Sequence, residues 1–119
     1  MTLRAIVGRL GEEIAAGHLE SLGYEVMGRN VRVGPKDEID IIALDREENV
    51  LVFAEVKARS KDDKVFRPEL NAGSVKKEKL RRSARTWIAE HEYDGGYRID
   101  LICVANGKVS EHVRELPWE

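Results

Sequence analysis

Two short apolar runs, Glu38-Ile39-Asp40-Ile41-Ile42-Ala43-Leu44 and Val50-Leu51-Val52-Phe53-Ala54-Glu55-Val56, flank a segment, Asp45-Arg46-Glu47-Glu48-Asn49, that has no apolar residue. Their length and β-branched content predict two strands, and the polar stretch between them predicts a short loop joining antiparallel neighbours. A hairpin symmetric about that loop sets Leu44 opposite Leu51, Ile42 opposite Phe53, Asp40 opposite Glu55 and Glu38 opposite Lys57, all on one side of the sheet. Apolar residues stand on both faces of both strands. That pattern belongs to a sheet covered on each side, which predicts an α/β fold with helices packed against a central sheet.

The same register brings like charges together. Cβ atoms of directly opposed residues lie roughly 4.5–5.5 Å apart, and two carboxylates at that spacing destabilise a sheet unless something compensates them. A hard divalent cation compensates both: Mg²⁺ takes one or two carboxylates and fills its remaining positions with water and phosphate oxygens. Lys57, two residues beyond Glu55 and so on the same face, could hold an attacking water or offset charge on a phosphate. The plainer alternative is a solvated strand end carrying an ordinary ion pair, which for an isolated Asp and Glu-x-Lys is the commoner case.

The remaining elements follow from periodicity. A helix is expected from about Thr2 to Ser21, stopped by Gly23, with Ala15, Leu19 and Leu22 facing inward. Glu12 extends that stripe, whereas Glu13 points away with Ala16 and Glu20, so Glu12 either reaches the site or remains an exposed acid. Gly8 and Gly11 imply a close approach or a break at this end of the helix. Tyr24 to Val33 reads as a strand with a bulge at Gly28, and Ala58 to Ser74 as a polar loop. A second helix starts near Ser74, the expected N-cap, with Leu80, Ala84, Trp87 and Ile88 on its apolar face. Lys77, Arg81 and Arg85 form a ridge beside that face, and Glu78 is spaced to pair with Arg82. Asp94-Gly95-Gly96 leads into a strand from Tyr97 to Ala105, and Asn106-Gly107 turns it back as Val109 to Val113. Asp100, inside that strand, supports the site or marks an edge.

Composition narrows the classes. With 119 residues a single domain spanning 1–119 is expected, and the opening segment, interrupted by Gly8, Arg9 and Gly11, lacks the apolar core of a signal peptide. No stretch has membrane-spanning length, so no membrane partner is expected and the cytoplasm is the expected location. Cys103, the single cysteine, lies in an apolar strand and reads as buried. His18, His91 and His112 are scattered without metal-ligand spacing and read as surface or structural residues. The net charge is only −2, yet Lys57 to Arg85 holds 11 Lys and Arg against 4 Asp and Glu. A basic segment directly after a candidate metal site is the electrostatic footprint expected for nucleic acid.

Several segments together resemble one family: Gly8-Arg9-Leu10-Gly11-Glu12 with Ala15, then Gly23-Tyr24, Arg29-Asn30, Glu38-Ile39-Asp40-Ile41-Ile42-Ala43, Phe53-Ala54-Glu55-Val56-Lys57-Ala58-Arg59, Val75 with Lys79, and Arg98-Ile99-Asp100. The chain is similar to the YraN-like family of small bacterial proteins, within the wider PD-(D/E)xK nuclease superfamily that includes archaeal Holliday-junction resolvases. The resemblance implies a restriction-endonuclease-like core, with a mixed sheet of about five strands flanked by helices, and cleavage of phosphodiester bonds, most naturally in DNA. Carried over by position, Asp40, Glu55, Val56 and Glu12 would hold Mg²⁺ or Mn²⁺, Lys57 would assist the nucleophilic water, and Glu12 would complete the site. Lys77, Lys79, Arg81, Arg85 and Arg59 would meet nucleic acid, and a homodimer is one arrangement the likeness allows. Asp37 stands where the family commonly has Gly, and Ile39 takes the place of the superfamily's proline. A non-catalytic nucleic-acid-binding or protein-interaction domain on the same fold is the alternative.

Overall fold

The computed structural model describes residues 2–59 and 74–116, excluding the side chains of 74–76. The elements are α1 (Leu3–Ser21), β1 (Glu25–Val33), β2 (Asp37–Asp45), β3 (Val50–Arg59), α2 (Ser74–Glu90), β4 (Gly96–Ala105) and β5 (Lys108–Val113). Apart from its ends, the loop expected over Ala58 to Ser74 lies outside the described residues, as does the side chain of the expected cap Ser74. The strands form one sheet in the order β1-β2-β3-β4-β5, antiparallel except for the parallel β3–β4 pair. Parallel neighbours need a long crossover, and α2 lies in this one. The result is an α/β fold with a mixed five-stranded sheet, consistent with the restriction-endonuclease-like core expected above.

The period-two alternation of the strands sorts the core into two layers. Ile42, Phe53, Ile99, Leu101 and Cys103 pack with Ala84, Leu80, Trp87 and Ile88 of α2. Ile41, Ala43, Ala54, Ile102 and Val104 pack with Ala15, Ala16 and Leu19 of α1. Cys103 is buried and unoxidised, as the apolar strand implied. Trp87 also serves the core, meeting Phe53 edge to face with ring centroids 5.6 Å apart.

Thr2 caps α1, its hydroxyl oxygen accepting from Ala5 N at 3.1 Å, and Gly23 takes φ +90° just beyond the helix. Two details of the expected stripe change. Ala16 is buried at 6% exposure, because the inward face is broad enough to take adjacent residues, and Leu22 is 50% exposed, because it is already the cap residue leaving the helix. The expected bulge appears as a register shift between Val26 and Gly28. Asn106 and Gly107, with φ 52° and 74°, make the tight β4–β5 turn.

Gly11 is where helix meets sheet, since a methyl group built there would overlap the Cβ of Ala58 on β3. Gly8 has open space around its would-be methyl, and the helix runs through both glycines without a break. Gly8→Ala should therefore stabilise by up to about 1 kcal/mol through helix propensity. Gly11→Ala should destabilise, the overlap costing roughly 1–3 kcal/mol against the same propensity gain. Urea unfolding of the two variants side by side checks the contrast, and equal midpoints would refute the close approach.

Candidate active site

The expected hairpin register holds through Leu44–Leu51 and Ile42–Phe53 and ends at Ile41–Ala54. Beyond that point β2 continues only with β1, down to Asp37–Val33, while β3 continues with β4 to Arg59–Ala105. The sheet forks, and Asp40 and Glu55 stand at its crotch. Separated strands leave backbone groups to satisfy, and here a side chain does so: Asp40 Oδ2 accepts from Val56 N at 2.8 Å. The expected pairing of Glu38 with Lys57 does not form, because Glu38 follows β1 opposite Arg32 and is exposed. Lys57 turns instead to Glu55, with Nζ 3.6 Å from Oε2.

Asp40, Glu55 and Lys57 are therefore brought together, and Glu12 approaches from α1. Burial pushes the Asp40 carboxyl from 3.8 up to about 7; the Glu55 charge, a hydrogen bond with Glu55 and, more weakly, the Glu12 charge act the same way, against the Val56 N–H. Glu12 is half-buried, while Glu13 is exposed as the periodicity implied. Glu55 and Lys57 alternate with residues packed on α1, so they face α2. A small cavity beside Asp40 and Glu55 is closed by Leu80 and Ser83 of that helix. Among the described residues no three His, Cys, Asp or Glu side chains form a ready cage for a metal ion. Two carboxylates in hydrogen-bond contact still fit a hard cation that completes its shell with water and phosphate oxygens.

The basic residues are spread more widely. Lys77 and Arg81 are half-buried on α2, whereas Lys79, Arg85 and, at the end of β3, Arg59 are exposed. Arg85 shares an open groove with Arg82, Glu78 and Glu90, so acids dilute that end of the ridge. Arg82 pairs chiefly with Asp37, its Nε and Nη2 each donating to a carboxylate oxygen at 3.0 Å, and Glu78 adds only its charge. Those hydrogen bonds hold the Asp37 carboxyl below its usual range. Asp37 thus ties the first residue of β2, three before Asp40, to the helix on the other side of the fork.

A second charged cluster lies on the α1 face, and the sequence reading missed it. Asp100 is fully buried and belongs neither to the fork nor to an edge: it accepts from Arg98 Nε at 3.1 Å, Glu115 N at 3.0 Å and His112 Nε2 at 2.8 Å. Arg98 also donates to Asp45 at 3.0 Å, Glu48 at 2.8 Å and the Tyr24 hydroxyl. His18 and His112, read as surface or structural residues, meet with ring nitrogens 3.1 Å apart and are structural. Burial, then the neighbouring His112, holds the His18 pKa below 6.5. Every buried side-chain polar atom among the described residues has a partner, so this cluster is a closed structural network. Symmetry about the Asn106-Gly107 turn would set Glu111 opposite Ile102; a register shift between Cys103 and Val104 sets His112 there instead, on the face that Asp100 shares and α1 covers, so the turn alone could not reveal the cluster.

No helix among the described residues is long and apolar enough to cross a membrane. The chain is similar over nearly its whole length to uncharacterised bacterial proteins. It is 41% identical over 120 residues to the UPF0102 protein of Streptomyces coelicolor, covering 96% of this chain and 90% of the relative. The UPF0102 protein of Streptomyces griseus is 40% identical (96% and 98% covered) and that of Thermodesulfovibrio yellowstonii 37% (92% and 94%). The family model described as uncharacterised protein family UPF0102 matches residues 11–104, a span that holds Glu12, the fork and the basic helix. By that match and these identities, the chain belongs to the UPF0102 family.

Proposed function

We propose that the chain is a divalent-metal-dependent nuclease of the PD-(D/E)xK type, hydrolysing phosphodiester bonds in nucleic acid, most naturally DNA. The observation that carries this reading is the fork, where Asp40 and Glu55 meet in a half-buried cleft with Lys57 3.6 Å from Glu55. Bound there, Mg²⁺ or Mn²⁺ would supply Lewis-acid stabilisation of the phosphate's developing charge. Asp40 and Glu55 would hold it, with the Val56 carbonyl and Glu12 as further donors. Lys57 would orient the attacking water and balance negative charge beside Glu55, while the Val56 N–H keeps Asp40 in place. Lys77, Lys79, Arg81, Arg85 and Arg59 would bear on the phosphate backbone. The second reading, a nucleic-acid-binding module without catalysis, is favoured by the lack of a three-ligand cage among the described residues.

Calorimetric titration with Mn²⁺ of the wild type, Asp40→Asn and Glu55→Gln, followed by a panel of labelled linear and branched DNA, separates the two. Binding lost in both variants, together with metal-dependent cutting by the wild type alone, is the expected outcome. Cutting retained by Asp40→Asn would sink the assignment of the site, and DNA binding without any metal uptake would favour the second reading.

A further inference from the structure

The fork leaves one prominent surface unused. Leu3, Ile6 and Leu10 on the first turns of α1 are 72%, 40% and 52% exposed, at spacings that place them along one side of the helix. This stripe borders a groove of about 310 Å³ between α1 and the far ends of β3 and β4. Val7, Leu10 and Ile14 form one wall, Ala58 and Val104 the other, and the Asn106-Gly107 turn closes one end.

The rim of the groove away from Glu12 and Glu13 is basic. Arg59 lines it, Arg4 precedes Val7 by one helical turn, and Lys108 follows the closing turn. No acidic side chain lines it among the described residues, and the first turn of α1 contains no acid. Gly11, which lines it, is the immediate chain neighbour of Glu12, whose charge is felt at Asp40, so this end of the groove lies towards the fork, across β3 from Glu55 and Lys57, which face α2.

We propose that this groove receives an unpaired strand of nucleic acid, so that the fork acts where duplex gives way to single strand. The proposal rests on the nuclease reading of the fork. A duplex stacks its bases inward and offers a protein mainly phosphates and groove edges, which the charged side of α2 can meet but an apolar trough cannot use. An unpaired strand turns base faces outward and keeps its phosphates, which matches an apolar floor with a cationic rim. An anionic lipid surface shares the apolar and cationic preferences, but it would call for a broad convex face, and this one is concave and narrow.

The test is fluorescence anisotropy in EDTA, with a blunt duplex, the same duplex carrying a single-stranded tail, and phosphatidylglycerol vesicles. The wild type should prefer the tailed duplex by about tenfold, the scale of burying roughly 55 Å² of base face against aliphatic side chains. Leu10→Asp and Arg4→Glu, both at exposed positions and each checked for folding by thermal denaturation, should lose that preference. Equal affinity for the two DNAs, a preference surviving in both folded variants, or vesicle binding in place of tail binding would overturn the proposal. Because no cleavage is needed, a tail preference without metal-dependent cutting would sink the nuclease reading alone, and cutting without the preference would sink the groove alone.

Discussion

Asp40→Asn should make the protein more stable than the wild type above pH 7, by on the order of 3 kcal/mol, while abolishing metal uptake at the fork. The sign follows from the carboxyl's environment. Its pKa rises from 3.8 in the unfolded chain to about 7 in the folded one, so the folded state holds the extra proton between those values. The contribution of Asp40 to stability is highest below pH 3.8, falls as pH rises towards 7 and levels off above it, where an ionised Asp40 stands beside Glu55. Asparagine stays neutral throughout and its side-chain oxygen can still accept from Val56 N. The variant should therefore lose this slope and melt on the order of 10 °C higher at pH 8, at roughly 4 °C per kcal/mol. Adding Mn²⁺ should raise the melting temperature of the wild type and leave that of the variant unmoved, since a ligand stabilises only the state that binds it. Thermal denaturation from pH 4 to pH 8, with and without Mn²⁺, checks both halves. A variant less stable than the wild type at pH 8 would show that the carboxylates are not in conflict.

Arg98→Met should be the most damaging single change in the described structure outside the apolar core. It removes the guanidinium shared by Asp100 and Asp45, which are 0% and 3% exposed, and leaves buried carboxylates short of their counter-charge, at a cost of about 3–5 kcal/mol. In the wild type burial pushes both carboxyls up, but hydrogen bonds, from Arg98 first at Asp45 and from His112 first at Asp100, outweigh it and hold both below 3.8. Their contribution is present above that value and is lost as pH falls through the lowered pKa of each. Without Arg98, burial is opposed only by the hydrogen bonds from His112 and Glu115 at Asp100 and from Glu47 and Glu48 at Asp45, so both carboxyls should hold their protons more readily. The deficit of Arg98→Met should be largest near neutrality and shrink as pH falls towards 4. Denaturant unfolding at several pH values tests this, and a deficit independent of pH would assign the loss to packing alone. Arg98→Lys should fall between the two, since a point charge cannot reach three carboxylates and a phenol at once.

Much of this arrangement was legible in the chain. The β2–β3 register could be read because apolar residues face apolar residues from Leu44–Leu51 to Ile42–Phe53, and a one-residue slip would turn the whole set to the wrong face. Reading on by symmetry placed Asp40 beside Glu55 correctly and Glu38 beside Lys57 wrongly. Symmetry is a property of an isolated hairpin, whereas each strand here has another partner: β1 keeps β2, β4 keeps β3, and the Asp37–Arg82 pair ties β2 to α2. Asp100 was misjudged, and the contact between the two structural histidines was missed, for a related reason. Residues far apart in sequence, such as His18 and His112, meet only after α1 is laid on the sheet, and no local pattern fixes where it lies.

The hydrogen bond from Val56 to Asp40 also gives the molecule an internal gauge. Most amides in the sheet are held by carbonyls, whose grip changes little with solution conditions, but this one is held by a titrating group at the fork. Its protection against deuterium uptake, once the intrinsic pH dependence of amide exchange is divided out, should therefore change with pH around neutrality, and with divalent cation, while that of Val52 and Ile102 in the core stays constant. A single backbone position can in this way report the electrical state of the cleft without a substrate being known.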